Sequence, residues 1–437
     1  MDKRVWLLAV LAVWGSTAIA QFRNFQISQP VDGKSQAVEP TVVINPANPS
    51  NIIAAAGKDR IMLSRDGGAI WLETYVTSSF GMSGDPVLVA DSKGTVFYFH
   101  LADPSGQGKS SPDWLDRIVS QRSIDGGVVW TSGTYMGLQP PKDNDKPAAA
   151  AHPKKEMLAV TWTQFDRYGS DDPNCQSNIL FSRSSNKGDK WSEPVRVNKM
   201  PGTCLDNDFT AMGAAPYIDL DGRIFVAWAQ SGKIYLDRSF DEGTTWLRSD
   251  ISVAQQLGGW DLTVPGLGRC NGLPALKGDH STGPYRTSLY VTFSDQRFGE
   301  NDTDIWFIKS PNRGDNWSDP VRVNGDGPGR HQFLPAMAVD PSSGYIYLVY
   351  YDRRAYPADD LRTDVYVAWS EDGGNSFRET KISETPFIPN PLHFFGDYIG
   401  ITAHQGTIVP VWTRMDNGTT SIWSSVFRLD DLRSASK

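Results

Sequence analysis

The chain has 437 residues, of which 39% are hydrophobic, 11% are aromatic and 21% are charged, and its formal net charge is −8. This composition is too apolar for a disordered protein. The negative charge is opposite to what binding to a phosphate backbone requires, so we expect no nucleic-acid partner. The 40 glycines and 28 prolines favour short strands joined by frequent turns, as in an all-β protein.

The first twenty residues have the pattern of an export signal. In chain order it consists of the basic pair Lys3-Arg4, the apolar run 5–14 and the small residues Ala18-Ile19-Ala20. We therefore expect cleavage between Ala20 and Gln21, export to the periplasm or the medium, and a single domain over residues 21–437. No later segment has the roughly 18 apolar residues of a membrane-spanning helix, and we expect a monomer.

One octapeptide, with the pattern Ser-x-Asp/Asn-x-Gly-x-x-Trp/Phe, occurs six times. Its copies are Ser64–Trp71, Ser123–Trp130, Ser184–Trp191, Ser239–Trp246, Ser310–Trp317 and Ser370–Phe377. The Asp or Asn side chain can accept hydrogen bonds from backbone amides two or three residues on, and glycine supplies a positive φ. Each copy is therefore predicted to be a tight hairpin turn.

Each octapeptide ends the third strand of a four-stranded unit in the predicted structure. Inner strands begin near residues 39, 84, 145, 210, 272, 332 and 395, which makes seven units. The last unit lacks its fourth strand, and Asn24–Ser28 has the pattern of that strand. The sequence thus predicts a seven-bladed β-propeller whose N-terminal strand closes the last blade, with six blades as the alternative.

The octapeptides resemble the Asp-box, or BNR, repeats of the sialidase superfamily, over nearly all of the chain after the signal. The resemblance implies a β-propeller similar to secreted bacterial sialidase-like proteins. The repeats are highly specific for this fold and only weakly specific for the reaction that a protein catalyses. Sialidases carry an Arg-Ile-Pro motif at their first inner strand, and the matching stretch here is Val38-Glu39-Pro40. Glu39 therefore stands where the resemblance places an arginine that binds the substrate carboxylate.

The strand order predicts that two kinds of loop share one face of the propeller, here called the funnel face. They are the loops that connect one blade to the next and the loops between the second and third strands of each blade. The octapeptides belong to the opposite face. Acidic residues and arginines recur on the funnel face, and such pairs suit hydroxyl-rich or acidic sugars. The candidate substrate-binding residues are Arg60, Asp166, Arg167, Asp295, Arg297, Asp352, Arg353 and Arg414. A structural ladder of ion pairs between blades is the alternative interpretation of the same recurrence.

Four other funnel-face residues do not recur in every unit. They are His331, His393, Asp397 and Tyr398, and we predict that they are catalytic. The resemblance implies a tyrosine nucleophile, and Tyr398 has Asp397 beside it as a base. Packing roles are the alternative for all four. Trp114 and Trp260, in long loops, are candidates for stacking on a sugar ring.

These observations leave three functions open. The first is a sialidase-like glycoside hydrolase that acts on an acidic or hydroxyl-rich oligosaccharide. The second is a polysaccharide lyase for a uronate-containing glycan, with Arg353 neutralising the carboxylate and His331, His393 and Tyr398 moving protons. The third is a propeller that binds a glycan or a protein without catalysis.

We predict no cofactor. The acidic segments Glu300–Asp304 and Asp206–Asp208 offer oxygen atoms that suit Ca²⁺, but neither has EF-hand spacing, and solvated loop charge is the alternative. The cysteines lack the spacing of a zinc site. Cys175 and Cys204 fall in adjoining loops, so we predict a disulfide between them and a free, buried Cys270.

Overall fold

A computed structural model describes residues 22–30 and 36–435. The predicted export signal lies outside the described residues. The first strand, β1 (Asn24–Ser28), belongs to the last of seven blades, and each of the other six blades is formed by consecutive strands. Every blade is antiparallel, and its strands run in chain order from the axis outwards, except that β1 supplies the outermost strand of the last blade.

The strands of blades 1 to 4 follow in chain order. Blade 1 contains β2 (Thr41–Ile44), β3 (Ile52–Ala56), β4 (Arg60–Ser64) and β5 (Leu72–Tyr75), and blade 2 contains β6 (Gly84–Ala90), β7 (Val96–Leu101), β8 (Ile118–Ser123) and β9 (Thr134–Met136). Blade 3 contains β10 (Asp143–Ala151), β11 (Leu158–Phe165), β12 (Ser177–Ser184) and β13 (Val195–Arg196), and blade 4 contains β14 (Met212–Ile218), β15 (Ile224–Gln230), β16 (Lys233–Ser239) and β17 (Ile251–Gln255).

A short hairpin of β18 (Asp261–Leu262) and β19 (Cys270–Asn271) leads into the remaining blades. Blade 5 contains β20 (Ala275–Gly278), β21 (Leu289–Asp295), β22 (Asp304–Ser310) and β23 (Val321–Arg322), and blade 6 contains β24 (Gln332–Val339), β25 (Ile346–Asp352), β26 (Asp364–Ser370) and β27 (Arg378–Lys381). Blade 7 contains β28 (Gly400–His404), β29 (Thr407–Asp416), β30 (Thr419–Ser425) and β1.

The ring closes where the sequence predicts. Strand β1 pairs antiparallel with β30, with Asn24 opposite Ser425. The seven-bladed propeller and its N-terminal closing strand are therefore confirmed, and the six-bladed alternative is wrong. Two further elements follow blade 7, and the repeat pattern does not predict them. They are β31 (Phe427–Arg428), which pairs with β29, and helix α1 (Leu429–Ala435). No helix in the described residues is long and apolar enough to span a membrane.

The six octapeptides form the same turn after the third strand of their blades. In the first copy, the Asp66 carboxylate accepts the amides of Ala69 and Ile70, at 3.1 and 3.0 Å, and Ser64 accepts the Gly68 amide at 2.8 Å. The glycine at the fifth position packs on the preceding blade, as Gly243 does on the Phe181 ring. These turns therefore hold blades together on the face opposite the funnel.

A bulge at the entry to the inner strands aims side chains at the axis. Glu39, Asp85 and Lys146 each precede a proline and adopt φ values of 58°, 53° and 50°. In blades 2 and 3 the pairing with the second strand shifts register at this point. The bulge re-aims the residue that precedes the proline, and all three side chains line the space at the centre of the ring.

Candidate functional site

A cavity of about 470 Å³ opens on the funnel face around the propeller axis. The charged groups that line it come from four inner-strand entries and two loops. They are Glu39, Asp85, Lys109, Asp145, Lys146, Arg269 and Asp397. Trp114, Tyr168 and Phe394 supply its aromatic surface.

Lys146 stands at the centre of the charged floor. Its ammonium contacts the Asp397 carboxylate directly and lies 3.6 Å from Glu39 Oε1 and 3.7 Å from Asp85 Oδ2. Burial alone would lower the pKa of Lys146, but the carboxylates of Asp397, Asp85 and Glu39 outweigh burial and raise it. Lys146 therefore stays charged and joins its own blade 3 to blades 1, 2 and 7.

Arg269 extends this network to the next loops. Its guanidinium binds Asp397 Oδ1 and Asp206 Oδ2, each at 3.0 Å, and the Tyr168 hydroxyl donates to the same Asp206 oxygen at 2.7 Å. Against the effect of burial, Lys146 and Arg269 hold the pKa of Asp397 below its usual value. Asp397 is thus an ionised structural anchor between two cations.

The protein raises the pKa values of two other carboxyl groups of the cavity, Asp145 and Glu39. Burial and the charge of Asp85 raise the pKa of Asp145 to about 7, and the same two causes raise the pKa of Glu39 well above its usual value. Acid–base catalysis needs one protonated and one ionised group at the same pH, and different environments provide this by giving neighbouring carboxyl groups different pKa values. A pKa of about 7 allows Asp145 to bind and release a proton near neutral pH.

One wall of the cavity is aromatic. Trp114 is half-buried, packs edge-to-face on Tyr168 with 6.0 Å between ring centroids, and donates from Nε1 to Ser83 Oγ at 3.0 Å. The Lys109 ammonium lies 5.5 Å from the centroid of the Trp114 ring system. Such a wall offers a stacking surface for a sugar ring. Trp260, the other sequence candidate, is 1% exposed and donates to the Thr210 carbonyl, so a sugar cannot stack on it.

Of the four predicted catalytic residues, the structure brings two to the axis. Asp397 belongs to the charged floor, and Tyr398 lies beneath it with its hydroxyl donating to the Pro86 carbonyl at 3.1 Å. Burial and the nearby Glu39 and Asp85 raise the pKa of Tyr398 well above its usual value, which opposes formation of a phenolate.

The two histidines lie apart from that pair. His331 is buried, its Nδ1 is 2.9 Å from the Thr303 hydroxyl, and burial together with Arg353 lowers its pKa to about 4. His393 is exposed in the loop before blade 7. Neither lines the cavity.

The predicted substrate-binding residues occupy positions outside the cavity, and most of their charges are paired locally. Arg60 is buried against Glu73, Asp166 pairs with Lys142, Arg297 with Asp295, Arg353 donates to the Pro265 carbonyl, and Arg414 pairs with Asp416. Asp352 binds Arg354, while Arg167 is exposed. The Asp295 and Asp352 pairs are structural, but each lies within one blade, so they do not form the expected ladder between blades.

Cys175 and Cys204 are bonded in the structure, with 5.7 Å between their Cα atoms, and Cys270 is a buried thiol. The bond joins the loop that carries Tyr168 to the loop that carries Asp206. It thereby supports one side of the cavity.

The acidic segments considered for Ca²⁺ are engaged by protein groups. Asp302 accepts the Gly329 amide, Asp304 accepts from Asn324, and Asp208 accepts the Trp260 amide. Among the described residues no group of three His, Cys, Asp or Glu side chains is arranged to hold a metal ion.

Sequence reasoning missed Lys146, Arg269 and Tyr168, and it did not rank Asp85 and Asp145 above their neighbours. One signal was available. Charged residues precede proline at the start of the first three inner strands, in Glu39-Pro40, Asp85-Pro86 and Lys146-Pro147. Arg269 and Tyr168 carried no comparable signal, because their loops share no pattern with other blades.

No family model and no curated protein matches the sequence. Among solved structures, a PL25 ulvan lyase bound to a sulfated GlcA–Rha disaccharide unit is similar, with a TM-score of 0.54 and 11% identity over 95% of this chain and all of the other. The chain therefore shares a β-propeller fold with this lyase.

An α-L-arabinofuranosidase, Arb93A from Fusarium graminearum in complex with an iminosugar inhibitor, gives a TM-score of 0.51 with 13% identity over 95% of this chain and 99% of the other. The Hadza microbial sialidase Hz136 gives 0.48 with 14% identity over 88% and 75%. At these identities the β-propeller is a shared fold, and the chemistry of this chain has to be argued from the cavity.

Proposed function

We propose that this sialidase-like propeller is an exported glycoside hydrolase that cleaves a neutral, hydroxyl-rich oligosaccharide in the funnel cavity. The observation that carries the proposal is Asp145, a carboxyl group with a pKa of about 7 that lines the cavity together with Asp85. Glycoside hydrolysis commonly uses two carboxyl groups, one protonated and one ionised.

The proposed roles follow from the surroundings of each group. Protonated Asp145 donates its proton to the glycosidic oxygen as the bond to the leaving sugar breaks. Asp85 is the partner carboxylate that supports the positive charge on the sugar, either directly or through the water that attacks it. Lys146 limits the repulsion among the carboxylates, and Glu39 accepts the Asp397 amide at 3.2 Å as part of the floor. Where Asp85 acts directly on the sugar, the water gives its hydroxyl group to the sugar and its proton to Asp145. Where Asp85 acts through the water, Asp85 takes that proton, and exchange with solvent restores both carboxyl groups.

The arginine content of the cavity favours a neutral sugar over sialic acid. Of the described residues that line the cavity, Arg269 is the one arginine, and both Asp206 and Asp397 engage it. A substrate carboxylate would have to compete with these two aspartates. Carboxylates and aromatic rings suit hydroxyl groups and the apolar face of a neutral sugar.

Two features support export as part of the proposal. The first is the signal-like N terminus, and the second is the disulfide between Cys175 and Cys204, since disulfides persist mainly in oxidising compartments. Peptide sequencing of the protein recovered from culture medium and periplasm tests this part. A mature chain that begins at Gln21 is expected, and an intact Met1 in the cytoplasm contradicts export.

The decisive experiment measures release of reducing sugar from a panel of neutral, sialylated and uronate-containing oligosaccharides. We expect release from a neutral member, a loss of at least about 10³-fold in kcat for Asp145→Asn, and less than a tenfold change for Tyr398→Phe. Tyr398→Phe is the matched control. If Tyr398 were the nucleophile, Tyr398→Phe would lower kcat more than Asp145→Asn does.

The remaining outcomes identify the other two functions. Product that absorbs in the near ultraviolet, from a uronate substrate, indicates β-elimination and overturns the hydrolase. Binding of a glycan that is unchanged in Asp145→Asn, with no product from any substrate, indicates a binding propeller and also overturns it.

A further inference from the structure

The loop that enters blade 7 presents two large apolar side chains to solvent. Within this loop Phe387 and Phe395 belong to the core and are 3% and 4% exposed. In contrast, Leu392 is 87% exposed and Phe394 is 41% exposed. Neighbouring exposed apolar groups mark a binding surface when they adjoin a cavity.

One end of this segment lies against the funnel cavity through Pro391. A Cβ on Gly268 would come within 2.6 Å of the Pro391 carbonyl oxygen, so the two backbones are in contact. The residue after Gly268 is Arg269, which lines the cavity. Leu392, the residue after Pro391, therefore stands beside the cavity's entrance.

The other end reaches the charged floor. A Cβ on Gly396 would lie 3.1 Å from the Glu39 side chain, which lines the same cavity. Phe394 lies two residues before Gly396 and is itself part of the cavity wall. The exposed apolar surface is thus continuous with the candidate site.

The backbone of the segment is held in place by local hydrogen bonds. The Leu392 amide donates to Asn390 Oδ1 and the His393 amide to the Asn390 carbonyl, each at 3.0 Å. Pro389 and Pro391 further restrict this backbone. A surface that is ordered in advance loses less entropy when a ligand binds to it.

We propose that Leu392 and Phe394 form an aglycone subsite, which binds an alkyl chain attached to the sugar in the funnel cavity. The inference rests on the proposed function and narrows its substrate class to sugars linked to an aliphatic chain. The proton from Asp145 stays on the glycosidic oxygen, so the chain leaves as an alcohol while water supplies the hydroxyl group of the freed sugar. Neither side chain of the subsite can form hydrogen bonds, which suits a chain better than a second sugar.

The position of the subsite argues against larger occupants. A second copy of the chain or a membrane surface seated on Leu392 and Phe394 would cover the entrance that the substrate needs. An alkyl chain occupies the same surface as part of the substrate.

Paired methyl and hexyl glycosides of glucose, galactose and arabinose test the subsite with the full chain. We expect kcat/KM to be at least about tenfold higher for the hexyl member of the pair that is cleaved, because each methylene that leaves water contributes up to about fourfold. The double variant Leu392→Ser/Phe394→Ser should reduce this ratio to about two or less. Ile70→Ser, at a position 72% exposed on the opposite face, is the matched control and should keep the ratio.

The two proposals fail in different ways. Equal kcat/KM for the methyl and hexyl members overturns the aglycone subsite and leaves the hydrolase standing. If none of these glycosides is cleaved, the hydrolase loses support, and binding of the alcohol alone decides the subsite. Crystals of the full chain soaked with 6-bromohexan-1-ol should show an anomalous peak within about 4.5 Å of Leu392 or Phe394. A soaked crystal without that peak overturns the subsite.

The other occupants are tested by sedimentation and by flotation with phosphatidylcholine vesicles. We expect a monomer that does not bind the vesicles. A dimer that Leu392→Ser/Phe394→Ser dissociates, or vesicle binding that this variant abolishes, overturns the proposal.

Discussion

Lys146 on blade 3 contacts Asp397 at the entry to blade 7, 251 residues further along the chain. Arg269 binds the other oxygen of the same carboxylate at 3.0 Å, and the Asn271 amide group donates to the Asp397 backbone carbonyl at 2.8 Å. Blade 7 is the blade that β1 closes. The ion pair therefore ties the closure of the ring to the floor of the candidate site.

Replacing Lys146 with methionine should destabilise the fold by about 3–5 kcal/mol at pH 8, because three buried carboxylates lose their common cation. The loss should be smaller at pH 5, since carboxylates without a cation take up protons more readily. Urea unfolding at both pH values measures it. Lys93→Met, which breaks the exposed pair with Glu156, is the control and should change little. A loss of equal size at the two pH values contradicts the prediction.

Asp145 should make the stability of the wild-type chain depend on pH between about 4 and about 7. Its pKa is raised to about 7 in the folded state, so the folded state holds this proton more tightly than the unfolded state does. Stability should therefore fall as the pH rises through this window. Urea unfolding of Asp145→Asn should show a flatter dependence than wild type, while the exposed control Asp171→Asn keeps the wild-type slope. Parallel curves for wild type and Asp145→Asn count against the assignment.

The disulfide should contribute about 3 kcal/mol, because it closes a loop with a sequence separation of 29 residues. Cys175→Ser and Cys204→Ser should each lose this amount in urea unfolding, and the double variant should lose no more than either. Additive losses contradict a shared bond. We also expect a higher KM in these variants, since the bond holds the loop of Tyr168.

Alanine substitutions at two neighbouring glycines of the first octapeptide distinguish the cost of backbone strain from the cost of steric crowding. Both Gly67 and Gly68 have positive φ, but a Cβ at Gly67 meets no atom within 4 Å, whereas one at Gly68 comes within 2.3 Å of Val426. Gly67→Ala should cost about 1–2 kcal/mol from strain alone, and Gly68→Ala about 1–3 kcal/mol more. Equal unfolding free energies for the two variants show that the turn does not pack on the neighbouring blade.

Trp114→Ala should raise KM for the cleaved oligosaccharide about tenfold and leave kcat within about threefold, because it removes a stacking surface and no reacting group. Steady-state kinetics measures both constants. Tyr398→Phe is the matched control, since its hydroxyl is bound to the Pro86 carbonyl below the floor. A Trp114→Ala variant with unchanged KM excludes this wall from substrate binding.

The sequence determined the architecture because a propeller is built from local repeats. Each octapeptide forms its turn from its own residues, as the contacts of Asp66 within eight residues illustrate, so its pattern survives in the sequence. The strand pattern of Asn24–Ser28 likewise predicted the closing strand, because an incomplete last blade has a single place for it. The same local reasoning put Cys175 and Cys204 in adjoining loops.

Only the tertiary structure decided which charged residues meet. Lys146, Arg269 and Asp397 come from three distant parts of the chain, and the curvature of the ring brings the two cations within 4 Å of the same Asp397 carboxylate. The protonation of Asp145 depends on burial and on Asp85, neither of which a single sequence specifies. Arginines such as Arg297 resemble ligand-binding groups in the sequence, yet they neutralise an aspartate two residues away. A repeat encodes its own turn and strands, whereas a site on the axis depends on how all the blades are arranged around it.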